Sequence, residues 1–103
     1  MTKVVITLDN TQTRVLVSGH SNYDVSGKDI VCSSVSSIMY YVASLISELT
    51  KNFEFREDEK NATMDLVINE KNDTIDAIIR CLIYSFETIE EDYSDYFKLT
   101  INK

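Results

Sequence analysis

Two side chains that can share a proton lie close together in the first third of the chain. His20 is the only histidine, and Cys32 is one of two cysteines. A free thiol, with a pKa of about 8.5, is mostly protonated at neutral pH, and a neighbouring imidazole can take up that proton. Cys32 and His20 are therefore a candidate nucleophile and general base. The structural alternative is a buried apolar cysteine and a polar histidine at the end of a strand.

The elements around these residues are predicted to bring them together. Residues 13–18 alternate in the manner of a strand that ends at Gly19, so His20 follows the strand directly. From Asp29 onward the apolar spacing becomes helical, which predicts Asp29 as the N-cap, a helix from Ile30 to about Thr50, and Cys32 in the first turn. The predicted apolar stripe of this helix consists of Val31, Val35, Ile38, Val42, Leu45 and Leu49. In a two-layer unit, the end of such a strand lies near the start of such a helix.

A loop is predicted between this strand and this helix, over residues 21–28. Gly19 precedes the loop and Gly27 lies within it, and these are the only glycines in the chain. Glycines there supply the backbone freedom that a closing loop needs. The start of a helix favours the thiolate form of Cys32, whereas the carboxylate of Asp29 opposes it by a comparable amount. Because these two effects nearly cancel, we expect the thiolate fraction of Cys32 to depend mainly on His20.

The run from Gly19 to Ser36 resembles the ribosomal-processing cysteine proteases of the Prp family. Their hallmark is Gly-His-Ala, a glycine-containing loop, and then Asp-Ile-Val-Cys-Ala-Ala-Val-Ser. Gly19-His20 and the segment 29–32 match it, as do Val35 and Ser36. The departures are serines where alanine is usual, at Ser21, Ser33 and Ser34.

The resemblance implies a cysteine endopeptidase that removes the N-terminal extension of bacterial large-subunit ribosomal protein twenty-seven, with Cys32 as nucleophile and His20 as base and then acid. It implies that Asp29 holds the entrance of the helix, that Ser36 supports the site, and that backbone N–H groups at the helix start, including that of Cys32, form the oxyanion hole. The expected substrate loop consists of Gly19, Ser21, Asn22, Tyr23 and Gly27. Family members form homodimers, so a homodimer is expected too.

Composition narrows the choice of partners. The chain of 103 residues has ten basic and seventeen acidic side chains, a net charge of −7, which disfavours direct binding of nucleic acid. Two cysteines and one histidine lack the spacing of a metal site, and no cofactor is expected. We expect one domain over residues 1–103, no disulfide, no membrane segment and a cytoplasmic location.

The apolar pattern along the chain predicts the order strand, strand, helix, strand, strand, helix, strand. This order is typical of an α+β two-layer sandwich, with a mainly antiparallel sheet and two helices on one face. The second helix is predicted over residues 72–90, with Asn72 or Asp73 as its cap and an apolar stripe of Ile75, Ile78, Ile79, Leu82, Phe86 and Ile89. Cys81 falls in the middle of this helix, where we expect a packing role. A charged turn is predicted over residues 56–61. Two alternatives to the protease remain open on these residues: a non-catalytic, ribosome-associated interaction module, and a redox-sensing thiol protein.

Overall fold

The computed structural model describes residues 1–19 and 26–103, with the side chains of residues 26–29 outside the description. Its elements follow the predicted order and form an α+β fold. Their bounds are β1 Thr2–Leu8, β2 Thr13–Ser18, α1 Ser26–Leu49, β3 Phe53–Asp58, β4 Thr63–Ile68, α2 Asp73–Asp92 and β5 Phe97–Asn102.

The sheet has the strand order β3-β4-β2-β1-β5. Three of its neighbouring pairs are antiparallel, and the pair formed by β1 and β5 is parallel. The prediction of a mainly antiparallel sheet is therefore confirmed. The first strand of the chain lies inside the sheet, between β2 and β5, while β3 and β5 form its two edges.

Alternation along the strands divides the sheet into two faces. One face carries fully buried side chains from the central strands, such as Val4, Val15 and Leu66, which join the buried residues of both helices in one apolar core. The opposite face carries half-buried and exposed residues, including a two-pronged ion pair between Arg14 and Asp65, with N···O distances of 2.7 and 2.9 Å. This pair raises the pKa of Arg14, chiefly through the hydrogen bond to Asp65.

Helix α1 packs on the sheet through a stripe that differs slightly from the predicted one. The predicted stripe included Ile38, Leu45 and Leu49, but the buried positions are instead Met39, Ala43 and Ile46, together with Val31, Val35 and Val42. Apolar residues three or four positions apart occur on two neighbouring faces of α1. Contact with the sheet decides which of these faces is buried. The segment Ile30–Leu49 is long and apolar enough for a membrane span, yet its buried stripe belongs to the core.

Helix α2 begins at a defined cap. Asn72 is the N-cap, and its side-chain oxygen accepts the backbone N–H of Ile75 at 2.9 Å, which decides between the two predicted caps Asn72 and Asp73. Four apolar residues of the predicted stripe are buried: Ile75, Ile79, Leu82 and Phe86. The expected packing role of Cys81 is wrong, because this residue is exposed.

The sheet has two ends that carry different loops. The end at which β1 begins, and which also holds Ser18, Asp58, Thr63 and Phe97, is called the Thr2 end. The opposite end, at which β2 begins, is called the Thr13 end. Gly19 and the first half of α1 adjoin the Thr2 end, which is therefore where the candidate site lies.

Candidate active site

Cys32 lies deeper in α1 than the sequence predicted. The helix begins at Ser26, so Cys32 is its seventh residue and Asp29 lies inside the helix; the prediction that Asp29 is the N-cap is wrong. Residues 26–28 of the predicted loop, including Gly27, are likewise helical. Ser26 and Asp29 have the Ser-x-x-acid spacing that often precedes an apolar helical run, which is a sequence signal for a helix start within one residue of Ser26.

The earlier start changes the chemistry available at Cys32. The field of a helix terminus fades beyond the first turn, so it supports a thiolate at the seventh residue less than predicted. In an α-helix the N–H of the seventh residue is bonded to the carbonyl four residues before it. This geometry disfavours the Cys32 N–H as part of the expected oxyanion hole, which stays a prediction.

The Cys32 side chain is buried, with 9% of its surface exposed. Its sulfur lies 3.8 Å from Oγ1 of Thr2, within hydrogen-bonding distance for sulfur, and either atom can be the donor. Thr2 was not among the predicted site residues. Two sequence signals point to it: alternation places Thr2 on the buried face with Val4 and Ile6, and an antiparallel β1–β2 hairpin brings the start of β1 beside the end of β2.

Gly19 occupies a backbone position near this site that only glycine can adopt without strain. Its φ is +74°, in the left-handed region, and a Cβ added to it would lie 2.3 Å from the backbone oxygen of Met1. The strand end that precedes His20 therefore packs directly on Met1, whose neighbour Thr2 contacts Cys32. Gly19, the residue before His20 in the sequence, is thus linked through Met1 and Thr2 to the Cys32 sulfur.

The other predicted site residues have different outcomes. His20, Ser21, Asn22 and Tyr23 lie outside the described residues. Ser36, one turn after Cys32 on the same side of α1, is half-buried.

The Thr2 end is acidic. The two acidic runs of the sequence, 54–59 and 87–95, come from separate elements, and the last part of each reaches this end, where β3 and α2 finish. Asp58 accepts hydrogen bonds from the side chain and the backbone of Asn61, and these bonds lower its pKa. Because β3 continues to Asp58, the charged turn that we predicted over residues 56–61 is shorter, and its first three residues belong to the strand.

A separate surface feature lies between the two helices. An open groove of about 590 Å³ is lined by uncharged side chains that include Ile38, Tyr41, Leu45, Ile78 and Cys81. Cys32 is not part of its lining. This apolar groove is therefore distinct from the site at the Thr2 end.

Comparison with known proteins decides the family. Residues 1–98 match the family model described as cysteine protease Prp. The chain belongs to the Prp family of cysteine proteases. The resemblance seen at Gly19-His20 and at residues 29–32 therefore extends over almost the whole chain.

Relatives and solved structures agree with this assignment. The ribosomal processing cysteine protease Prp of Staphylococcus aureus is 27% identical over 89 residues, covering 84% of each chain, and that of Bacillus subtilis is 27% identical over 100 residues, covering 84% of this chain and 82% of the relative. The structure of the Staphylococcus aureus protease Prp with a substrate peptide is 25% identical, with a TM-score of 0.86 over 99% of this chain and 100% of that one. A second structure of that protease, with a covalently linked product peptide, is 26% identical with a TM-score of 0.81 over the same shares.

Proposed function

We propose that this protein is a cysteine endopeptidase that removes the N-terminal extension of bacterial large-subunit ribosomal protein twenty-seven during ribosome maturation. Cys32 is the nucleophile, and His20 is the general base that becomes the general acid. Ser36 and Asp29 support the site from α1. Gly19 and the residues after it, Ser21 to Tyr23, meet the substrate.

The observation that carries this proposal is the chain of contacts at the Thr2 end. Gly19 packs on the carbonyl of Met1, and the next residue, Thr2, touches the sulfur of Cys32. In the sequence, Gly19 is the residue directly before His20. The covalently linked product peptide in the Staphylococcus aureus Prp structure further supports covalent catalysis by a cysteine in this family.

The reaction follows from these two side chains. His20 takes the Cys32 proton, and the thiolate attacks the carbonyl carbon of the scissile peptide bond, forming a C–S bond. The C–N bond then breaks as the imidazolium gives its proton to the leaving amine. His20 next removes a proton from water, whose oxygen forms a C–O bond to the thioester carbon. The C–S bond then breaks, the second product leaves, and the imidazolium returns its proton to the sulfur.

The surroundings of the site bear on its partners. Ribosomal proteins are basic, so acidic side chains at the Thr2 end favour their approach over that of nucleic acid phosphates. A cytoplasmic location and a homodimer stay predictions from the sequence and the family resemblance. Sedimentation equilibrium of the purified chain measures its mass in solution and tests the homodimer.

The decisive experiment is peptide cleavage. The protein is incubated with a peptide that copies the ribosomal extension and its first mature residues, and the products are weighed by mass spectrometry. Cleavage at one bond that is lost in both Cys32→Ala and His20→Ala, but retained in Cys81→Ala, supports the dyad. Cys81→Ala is the matched control, because it removes the other thiol, which is exposed on α2.

The same assay separates the two rival functions. Binding of the peptide without cleavage by the unaltered protein favours a non-catalytic interaction module. Peroxide-dependent modification of Cys32 that persists in His20→Ala, in a protein that does not cleave the peptide, favours a redox-sensing thiol. Either result overturns the protease proposal.

A further inference from the structure

One polar side chain reaches the candidate nucleophile from a strand that the family motif does not include. Thr2 is only 4% exposed, and its hydroxyl has the Cys32 sulfur, at 3.8 Å, as its hydrogen-bonding partner among the described residues. Buried hydroxyls need a partner, since leaving one without a hydrogen bond costs free energy. The contact between Thr2 and Cys32 is therefore built into the core beside the thiol.

We propose that Thr2 is a positioning residue for the nucleophile; this inference rests on the proposed function. A hydroxyl can both accept and donate, because its hydrogen rotates. It accepts the S–H of the resting thiol and donates to the sulfur once His20 has taken the proton. Thr2 thereby holds the sulfur in one place and can donate a hydrogen bond to it after the proton has left.

The backbone of Thr2 is fixed well enough for this role. Its N–H donates to the carbonyl of Tyr96 at 2.9 Å, and it stands opposite Phe97 in the parallel pair of β1 and β5. On its other side, the Met1 carbonyl packs on Gly19. A β-branched side chain also has few rotamers, so a fixed backbone fixes the hydroxyl.

The test removes the hydroxyl while keeping the shape. Thr2→Val replaces the hydroxyl by a methyl group, Thr2→Ser restores a hydroxyl, and both are made in a Cys81→Ala background so that Cys32 is the only thiol. Thr13→Val is the matched control, since Thr13 is the other buried polar side chain among the described residues, 1% exposed, at the Thr13 end of the sheet. Melting temperatures by circular dichroism verify folding.

The first readout is the rate of iodoacetamide alkylation against pH, which requires no peptidase activity. In Thr2→Val we expect the midpoint of this profile to move up by about half to one pH unit, while Thr2→Ser and Thr13→Val keep the parental midpoint. The second readout is peptide cleavage, where kcat of Thr2→Val is expected to fall by about tenfold with KM unchanged. If the valine variant does not fold, Thr2→Ala takes its place.

An alkylation profile of Thr2→Val that equals the parental one overturns the inference. Equal deficits in Thr2→Ser and Thr2→Val also overturn it, because they indicate that packing rather than the hydroxyl matters. If the unaltered protein alkylates as expected but cleaves no peptide, the proposed function fails, and the alkylation result still decides the role of Thr2.

Discussion

The two ends of the sheet are stabilised in different ways. At the Thr13 end, side chains tie separate loops together around Glu70, whose carboxylate accepts hydrogen bonds at 2.8 to 3.3 Å from Thr50, Asn52 and Asn72. At the Thr2 end, the turn between β3 and β4 is bonded within itself, from Asn61 to Asp58. The contact of Thr2 with Cys32 and the packing of Gly19 on Met1 lie at this same end.

This difference indicates a division of work. The Thr13 end holds the elements in register, whereas the Thr2 end carries the groups that can do chemistry. We therefore expect substitutions at the Thr13 end to change stability alone, and substitutions at the Thr2 end to change cleavage. The following predictions test this division, from the largest expected effect to the smallest.

Cys32→Ala is expected to lower kcat for the ribosomal peptide by about a thousandfold or more, since no other group at the site can form the C–S bond. Its melting temperature should remain close to that of the parent. Single-turnover cleavage followed by mass spectrometry measures the loss. Cleavage that survives in this variant would place the nucleophile elsewhere.

Gly19→Ala is expected to destabilise the fold by about 1–3 kcal/mol from the left-handed backbone alone, and the approach of Met1 adds to this. It should also abolish cleavage, because His20 follows directly. Gly27→Ala is the control: Gly27 lies within α1, where alanine is favoured by up to about 1 kcal/mol. Urea denaturation compares the two, and equal effects would contradict the geometry.

Glu70→Ala tests the other end. Removing the shared acceptor leaves three donors without it, and the free energy of unfolding is expected to fall by about 1–2 kcal/mol. Cleavage at a temperature well below melting should equal that of the parent. A large loss of kcat in the folded variant would contradict the division between the two ends.

Glu91→Lys and Glu48→Lys form a matched pair for charge. Each residue is an exposed acid near the C-terminus of a helix whose last turn has no basic residue, but Glu91 lies at the Thr2 end and Glu48 at the Thr13 end. Both changes should stabilise the protein by about 0.3–1 kcal/mol, because a cation suits a helix C-terminus.

Only Glu91→Lys should lower kcat/KM for the basic peptide, by about two- to fivefold at low salt, with the difference fading as salt rises. Cleavage kinetics across a salt series measure this effect. Equal kcat/KM for the two variants at all salt concentrations would exclude electrostatic steering at the Thr2 end.

Ala62→Gly is expected to have the smallest effect. Ala62 has a φ of +52°, and glycine adopts this left-handed conformation at a lower cost, so the variant should be stabilised by up to about 1 kcal/mol. Thermal melting measures the change. A lower melting temperature would show that the alanine side chain contributes more than its backbone strain costs.

Much of the fold was predictable because it rests on local patterns. Alternation located the strands, and the apolar spacing located both helices. The start of α1 was predicted too late, since Gly27 and the charged Lys28 look like loop residues while the Ser26–Asp29 cap spacing is easily missed. The buried stripe of α1 was displaced because tertiary contact with the sheet selects between adjacent faces.

The site was only partly predictable for a different reason. Cys32 and Gly19 stand out by residue type and spacing, whereas Thr2 acquires its place through the pairing of β1 with β2 and β5. The sequence of one strand does not show which distant residues it pairs with. A threonine at the start of a strand is therefore not recognisable as a site residue until its contact with Cys32 is known.

The parallel pairing of the first and last strands has a consequence for synthesis. The residue that touches the candidate nucleophile is secured through Tyr96, near the beginning of β5. A nascent chain whose β5 is still inside the ribosomal tunnel lacks that support, so its cysteine is expected to gain full reactivity only after β5 has left the tunnel and paired with β1.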